Sequence, residues 1–267
     1  MQTDIIGNRL KNNYENIPKT RLMRRCPVAI RIDGKSFHTF TRYFKKPFDD
    51  ILRESMMATM KYLCENIQGC VFGYTQSDEI TLILIDYQKL NTSAWFDYEV
   101  QKMCSISASM ATMAFNKEFA HQVRKYKETH ITGSAAWWDS YNDKYYQIIY
   151  AAMNKGAMFD ARCFNIPKEE VTNLLYWRQI DAARNSIQMV GRTYFSDKEL
   201  EGKKNNEIQD MLHEQKGINW NNYSVSEKRG TACIRTEDGW FIDRNMPQLK
   251  GEDRQYLDRF IFVGEEE

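Results

Sequence analysis

No Cys-x-x-Cys pair occurs among the six cysteines of this 267-residue chain (Cys26, Cys64, Cys70, Cys104, Cys163 and Cys233), and most sit among apolar neighbours. Scattered thiols of this kind read as reduced and buried, so neither a zinc site nor a disulfide framework is expected. Long hydrophobic runs are also missing. Residues 80–85 form a typical apolar stretch, far short of the roughly 20 residues that a membrane span requires. The first 19 residues are largely polar and lack the charged-then-apolar layout of a secretory signal, so a cytoplasmic protein is expected. An excess of charge of one sign is absent too: 37 Lys+Arg stand against 36 Asp+Glu. Any contact with nucleic acid must therefore come from a local patch rather than a uniformly basic surface. There is no internal repeat and no low-complexity linker. With 42% hydrophobic and 13% aromatic residues, the composition excludes wholesale disorder.

What is present is a regular succession of apolar periods. Residues 27–32 form a short β-branched run ending at Asp33-Gly34, which predicts a strand entering a turn. After Asp49-Asp50, good N-cap candidates, Leu52, Met56, Met60, Leu63, Cys64 and Ile67 recur at helical spacing. Gly69 stops that helix. Residues 70–75 and 80–85 then predict a hairpin whose polar tip is Gln76-Ser77-Asp78-Glu79. A helix rich in small residues is expected over 97–119, and a strand near 161–165. Between them, residues 137–158 carry Asn142, Asn154 and Gly156 and read as a loop or irregular excursion. A helix after Pro167 and a closing hairpin around Asp238-Gly239 complete the pattern. The order strand, helix, hairpin, helix, strand predicts an α+β fold, a ferredoxin-like antiparallel sheet with helices on one face, as in polymerase palms and nucleotide cyclases. The expected organisation is a palm-like domain over 1–165 and a helix-rich C-terminal part over 166–267, packed on the palm.

Two carboxylates stand where strands turn, Asp33 at the end of the first strand and Asp78 at the hairpin tip. In a split β-α-β sheet these strands are neighbours, so both side chains can converge on one cation. Hard oxygen ligands favour magnesium, which keeps several waters and binds through one or two carboxylates plus substrate phosphates. Such a pair points to phosphoryl or nucleotidyl transfer. Gly34 suits close approach of backbone to metal or phosphate. Spacing leaves open that Asp33-Gly34 is only a turn and that the tip is only hydrophilic. Gly34-Lys35-Ser36 is not a P-loop, because the position five before Gly34 is Ala29 rather than glycine.

Several separated motifs carry a more specific signal. Residues 31–38 (Arg-Ile-Asp-Gly-Lys-Ser-Phe-His), 46–49 (Lys-Pro-Phe-Asp) and 74–79 (Tyr-Thr-Gln-Ser-Asp-Glu) are followed by Phe159-Asp160-Ala161-Arg162, Trp177-Arg178-Gln179 with Asp181, Asn206-Glu207-Ile208 and Lys228-Arg229-Gly230. In this order they resemble the signature of the tRNA-His guanylyltransferase family. The resemblance implies a palm that works in the 3′-to-5′ direction. It would activate a 5′-monophosphorylated tRNA with ATP, or with GTP, then let the 3′-hydroxyl of an incoming GTP attack the activated end. It further implies that Asp33, the Gly34 carbonyl and Asp78 bind two magnesium ions, with Glu79 supporting the acidic site. Lys46 and Ser77 would contact the incoming triphosphate, Arg31, Lys102 and Arg162 would neutralise phosphates during activation, and Asn185 would help hold a nucleotide. A homotetramer, a dimer of dimers, is implied as well.

One departure from the eukaryotic pattern stands out. Where those members continue from Trp-Arg-Gln-x-Asp into His-Ile-Asn-Asn, this chain reads Ala183-Arg184-Asn185-Ser186. That moves the resemblance toward the bacterial and archaeal members, which repair 5′-truncated tRNAs. A nucleotide cyclase is the nearest enzymatic rival but lacks its Gly-Gly-acidic-acidic-Phe hairpin here. A non-catalytic RNA-binding palm has no need of both carboxylates.

Overall fold

The structure, a computed structural model, describes residues 4–131 and 143–263. Following α1 (Ile5–Leu10) come β1 (Val28–Gly34), the short α2 (Phe37–Phe40), α3 (Asp50–Asn66), β2 (Cys70–Gln76) and β3 (Glu79–Leu84). The long α4 (Val100–His130) and α5 (Lys144–Lys155) lead to β4 (Phe159–Asn165) and α6 (Lys168–Tyr194). Three shorter helices, α7 (Asp197–Leu200), α8 (Asn205–Lys216) and α9 (Val225–Arg229), precede the hairpin of β5 (Thr231–Thr236) and β6 (Gly239–Asp243), and α10 (Gln255–Ile261) follows it.

All six strands join one antiparallel sheet in the order β4-β1-β3-β2-β5-β6. The first four strands have the ferredoxin-like order that the sequence predicts, and the closing hairpin extends the same sheet from the β2 edge. Side chains alternate between the two faces. Ile30, Ile32, Leu82 and Leu84 pack with Met60, Leu63, Phe115 and Phe119 of α3 and α4. Ala29, Ile83, Phe72 and Tyr74 pack instead with Val171 and Leu175 of α6 and Leu257 of α10. The central strands are thus covered on both sides, which is why they read as continuous apolar runs rather than alternating ones. The C-terminal half of α6 forms a further small core with α8 through Ile187, Val190, Ile208 and Leu212.

Asp49 caps α3 by accepting from the Leu52 amide at 3.0 Å, and also accepts from the Lys45 amide and the Tyr145 hydroxyl. The cap therefore ties the 41–49 loop and α5 to the start of α3. Two expectations change. Residues 144–155 are not an irregular excursion but α5, capped by Asp143 on the Tyr146 amide and closed at Gly156 with φ of 71°. Asn154 and Gly156 are its end signal rather than loop punctuation, and Tyr146, Ile149 and Ala152 give it a buried stripe. The first part of the excursion read over 137–158, residues 137–142 with Asn142, lies outside the described residues. The helix expected over 97–119 starts at Val100 and runs on to His130. Of the six thiols, only Cys64, Cys70 and Cys233 are buried; Cys26, Cys104 and Cys163 are half-buried. No helix among the described residues is long and apolar enough to cross a membrane.

Candidate active site

Asp33 is not part of a turn. It lies in the β1 ladder, opposite Glu79 of β3 on one side and Asp160 of β4 on the other. Ser77 and Asp78 alone form the β2–β3 turn, with Ser77 in the left-handed region at φ of 51°. The Ser77 hydroxyl donates to Asp78 Oδ1 at 3.0 Å, and the Gly34 amide donates to the Asp78 carbonyl at 3.1 Å. This last bond fastens the hairpin tip to the end of β1, so Asp33 and Asp78 are held at one edge of the sheet. Gly34 is required by packing: a Cβ there would stand 2.2 Å from the Phe37 ring.

Burial pushes the Asp78 carboxyl above the ordinary carboxylate range; the Ser77 hydroxyl opposes this, while the charges of Asp33 and Glu79 add to it. Among the described residues neither Asp33 nor Asp78 takes part in an ion pair. Glu79 differs. Arg178 donates from Nε to Oε1 at 2.7 Å and from Nη2 to Oε2 at 2.8 Å, and Arg31 Nη2 reaches Oε2 at 2.8 Å. Its charge is spent on holding two guanidiniums under α6, so Glu79 anchors the helix to the sheet instead of adding a free carboxylate.

Two unneutralised, mutually repelling carboxylates are a fitting donor set for a hard divalent cation. Among the described residues no three His, Cys, Asp or Glu side chains form a ready-made cage.

Beside this edge opens a cavity of about 790 Å³, within the range of small-molecule and cofactor sites. Its walls are Gly34 to His38, the loop 41–53, the turn 75–78, the second half of α6 and residues 226–231. Five of the sequence-predicted residues line it: Gly34, Lys46, Ser77, Asp78 and Asn185. Asp33, Glu79 and Arg31 share the sheet face that α6 covers, next to the cavity and not in its lining. Arg162, register partner of Arg31, is exposed and pairs loosely with Asp160 at 3.6 Å. Lys102 is not brought to the cavity; it is exposed on α4, with its ammonium 5.7 Å from the Phe96 ring centroid.

The cavity also gathers cations that sequence reasoning did not single out. Lys45 rests over the Tyr145 ring at 4.2 Å, Arg53 bonds Glu227 and Asp50, and Arg192 makes only a 3.7 Å contact with Asp197. Arg192 had a signal: with Asn185, Gln188 and Met189 it recurs at spacings of three and four on one face of α6. Arg53 had none, because its place depends on α9, which arrives from far along the chain.

Residues 8–167 match the family model described as tRNAHis guanylyltransferase. Among solved structures, the chain is similar to a bacterial tRNA(His) guanylyltransferase-like protein in complex with ATP, at 39% identity and a TM-score of 0.80, covering 97% of this chain and 100% of that one. A complex of such a bacterial protein with GTP matches at 35% identity and a TM-score of 0.76, with the same coverage. The tRNA(His) guanylyltransferase of Saccharomyces cerevisiae is 25% identical over 228 residues, 80% of this chain and 84% of its own.

Proposed function

The chain belongs to the tRNAHis guanylyltransferase family, and from that membership we propose that it is a 3′-to-5′ nucleotidyltransferase acting on the 5′ end of a tRNA. The observation that carries the proposal is the juxtaposition of Asp33 and Asp78 with a cation-lined cavity of nucleotide size. In the first step the 5′-monophosphate of the tRNA attacks the α-phosphorus of ATP and pyrophosphate leaves. In the second the 3′-hydroxyl of GTP attacks the activated 5′ phosphorus, and AMP leaves. The same arrangement accepts GTP as activator.

Lys46, Arg53 and Arg192 neutralise the incoming triphosphate, the Ser77 hydroxyl contacts it, and the Asn185 amide holds the nucleotide against α6. Charge-assisted contacts with phosphate oxygens are the stronger ones, and arginine makes them bidentately. Asp33 and Asp78, with the Gly34 carbonyl, would hold two magnesium ions, which supply charge neutralisation at the transferring phosphorus and its leaving group. Arg162 and Arg31 border the same carboxylates from the sheet face and offer charge to the activating phosphates. Residues 1–165 serve as the catalytic palm, and the helix-rich part 166–267 supplies the opposite wall of the cavity. We assign the protein to the cytoplasm and to a homotetramer of two dimers.

The reading favoured within the family is 5′-end repair, because the chain carries Ala183-Arg184-Asn185-Ser186 where the tRNA-His-dedicated eukaryotic members have His-Ile-Asn-Asn. The test supplies two 5′-monophosphorylated tRNAs, a full-length tRNA-His and a tRNA lacking its first nucleotide, with magnesium, ATP and labelled GTP. Extension is expected, with preference for the truncated tRNA. Cyclic or dinucleotide product from nucleotide alone, without extension of either RNA, would overturn the proposal.

A further inference from the structure

On the sheet face beside the carboxylates, Trp177 of α6 is 50% exposed, a large share for an indole. Two guanidinium carbons lie over its ring, Arg31 at 5.8 Å and Arg178 at 4.7 Å from the centroid. Both guanidiniums bond the same oxygen of Glu79, each from its Nη2 at 2.8 Å. Both cations thus lie against the indole, while half of its surface stays open to solvent.

The backing is rigid. Arg178 is buried and bonded to Asp181 as well as to Glu79, so the indole is braced by a fixed charge cluster rather than by mobile side chains. The position is equally telling. Arg31 stands two residues before Asp33 on the same strand face, about 7 Å along β1. Arg162, opposite Arg31 on β4, is exposed and only loosely paired. The cavity meets the carboxylates from the other side, and its lining stops at Ala182 without reaching Trp177. A half-exposed indole beside an available arginine and the acidic edge is the ordinary constitution of a base-stacking platform on single-stranded nucleic acid.

We propose that Trp177 stacks on a nucleobase whose 5′-phosphate is drawn by Arg162 toward Asp33, a second nucleotide subsite facing the cavity across the carboxylates. This deepens the transferase reading and rests on it for the direction of approach. The same chemistry belongs to the terminal nucleotide of the tRNA and to a free activating nucleotide; the RNA end is the source that the open, solvent-facing geometry favours.

The test is binding of a 5′-monophosphorylated tRNA carrying 2-aminopurine at its first nucleotide, and of 2-aminopurine riboside triphosphate, to wild type, Trp177→Ala and Trp177→Phe, in magnesium and without turnover. Stacking is expected to quench the RNA probe in wild type. Trp177→Ala should abolish the quench and raise the KM for tRNA about 10-fold, with the KM for GTP and the melting temperature nearly unchanged. Trp177→Phe should restore the KM. A quench confined to the triphosphate probe would assign the subsite to the free nucleotide and keep the stacking role. Equal quenching and equal KM in wild type and Trp177→Ala, or a change only in oligomeric state, would overturn it. Because the fluorescence arm needs no catalysis, loss of the transferase reading would show separately, as a wild type that extends no RNA.

Discussion

Arg178 and Glu79 form a bidentate ion pair, Nε to Oε1 at 2.7 Å and Nη2 to Oε2 at 2.8 Å, with both side chains only 5% exposed. Ninety-nine residues separate them in sequence. Their pairing docks α6 onto β3 directly behind the carboxylate edge, so the wall of the cavity is held by charge as well as by the apolar contacts of Val171 and Leu175.

Removing Arg178 leaves Glu79 with Arg31 alone, still bonded to Oε2 at 2.8 Å. Arg178→Ala is expected to destabilise the fold by about 1–3 kcal/mol, since Arg31 still compensates the carboxylate, whereas Glu79→Leu should cost more, because it takes the shared carboxylate from both guanidiniums at once. Urea titration of the two variants and the wild type measures this. A single variant as stable as the wild type would show that the pair carries no structural role.

Asp33 and Asp78 repel each other, and this is an arrangement kept for chemistry rather than stability. Asp78→Asn and Asp33→Asn should each lower nucleotide transfer by at least on the order of 100-fold. Their melting temperatures should match or slightly exceed that of the wild type measured without magnesium, since one of two like charges has been removed. Turnover near the wild-type rate in saturating magnesium would remove these residues from the metal site.

Gly34→Ala puts a Cβ 2.2 Å from the Phe37 ring, which is buried and packed on Phe40, Phe115 and Phe159. Overpacking of this kind costs about 1–3 kcal/mol. Adding Phe37→Leu should return part of the stability by vacating the ring's edge. If Gly34→Ala alone is neutral in thermal denaturation, the packing account of this glycine fails.

Glu54 on α3 accepts from both Nη atoms of Arg244, at 2.6 and 2.7 Å, and this bond is the main reason its carboxyl titrates below the usual glutamate value. A carboxyl depressed in the folded state contributes stability that is present above its unfolded pKa and is lost as pH falls through the depressed folded value. Since Arg244 is about half exposed, screening holds the contribution to about 0.5–1 kcal/mol. Glu54→Gln should therefore narrow the difference in unfolding free energy between neutral and acidic pH by that amount, while leaving the acid-limb stability close to that of the wild type. An unchanged pH profile would sink the assignment.

Lys46 is exposed and has no ion pair among the described residues, so its loss should cost the fold little. Lys46→Ala is expected to raise the KM for GTP about 10-fold, by removing one charge-assisted phosphate contact. A normal KM with a lowered melting temperature would mark Lys46 as structural.

Much of this protein was determined by its sequence alone. The period of apolar residues marks β1 to β4 and α3, because a residue's exposure to one face depends only on its neighbours a few positions away. Asp49 announces the start of α3 by its own capping chemistry, and the positions of Asp33, Gly34, Lys46, Ser77 and Asp78 follow from short motifs at the ends of those elements. Tertiary structure decided the rest. That Glu79 is clamped by Arg178 and Arg31, that Arg53 meets Glu227, and that Lys102 stays away from the cavity all depend on which elements the topology sets side by side. The reading of 144–155 as a loop failed for a related reason: Asn154 and Gly156 are equally the marks of a loop and of a helix end, and the buried stripe against α4 is what makes them the latter. Local periodicity encodes the face of an element, but a charge's partner across a hundred residues is chosen by the sheet order and the docking of α6.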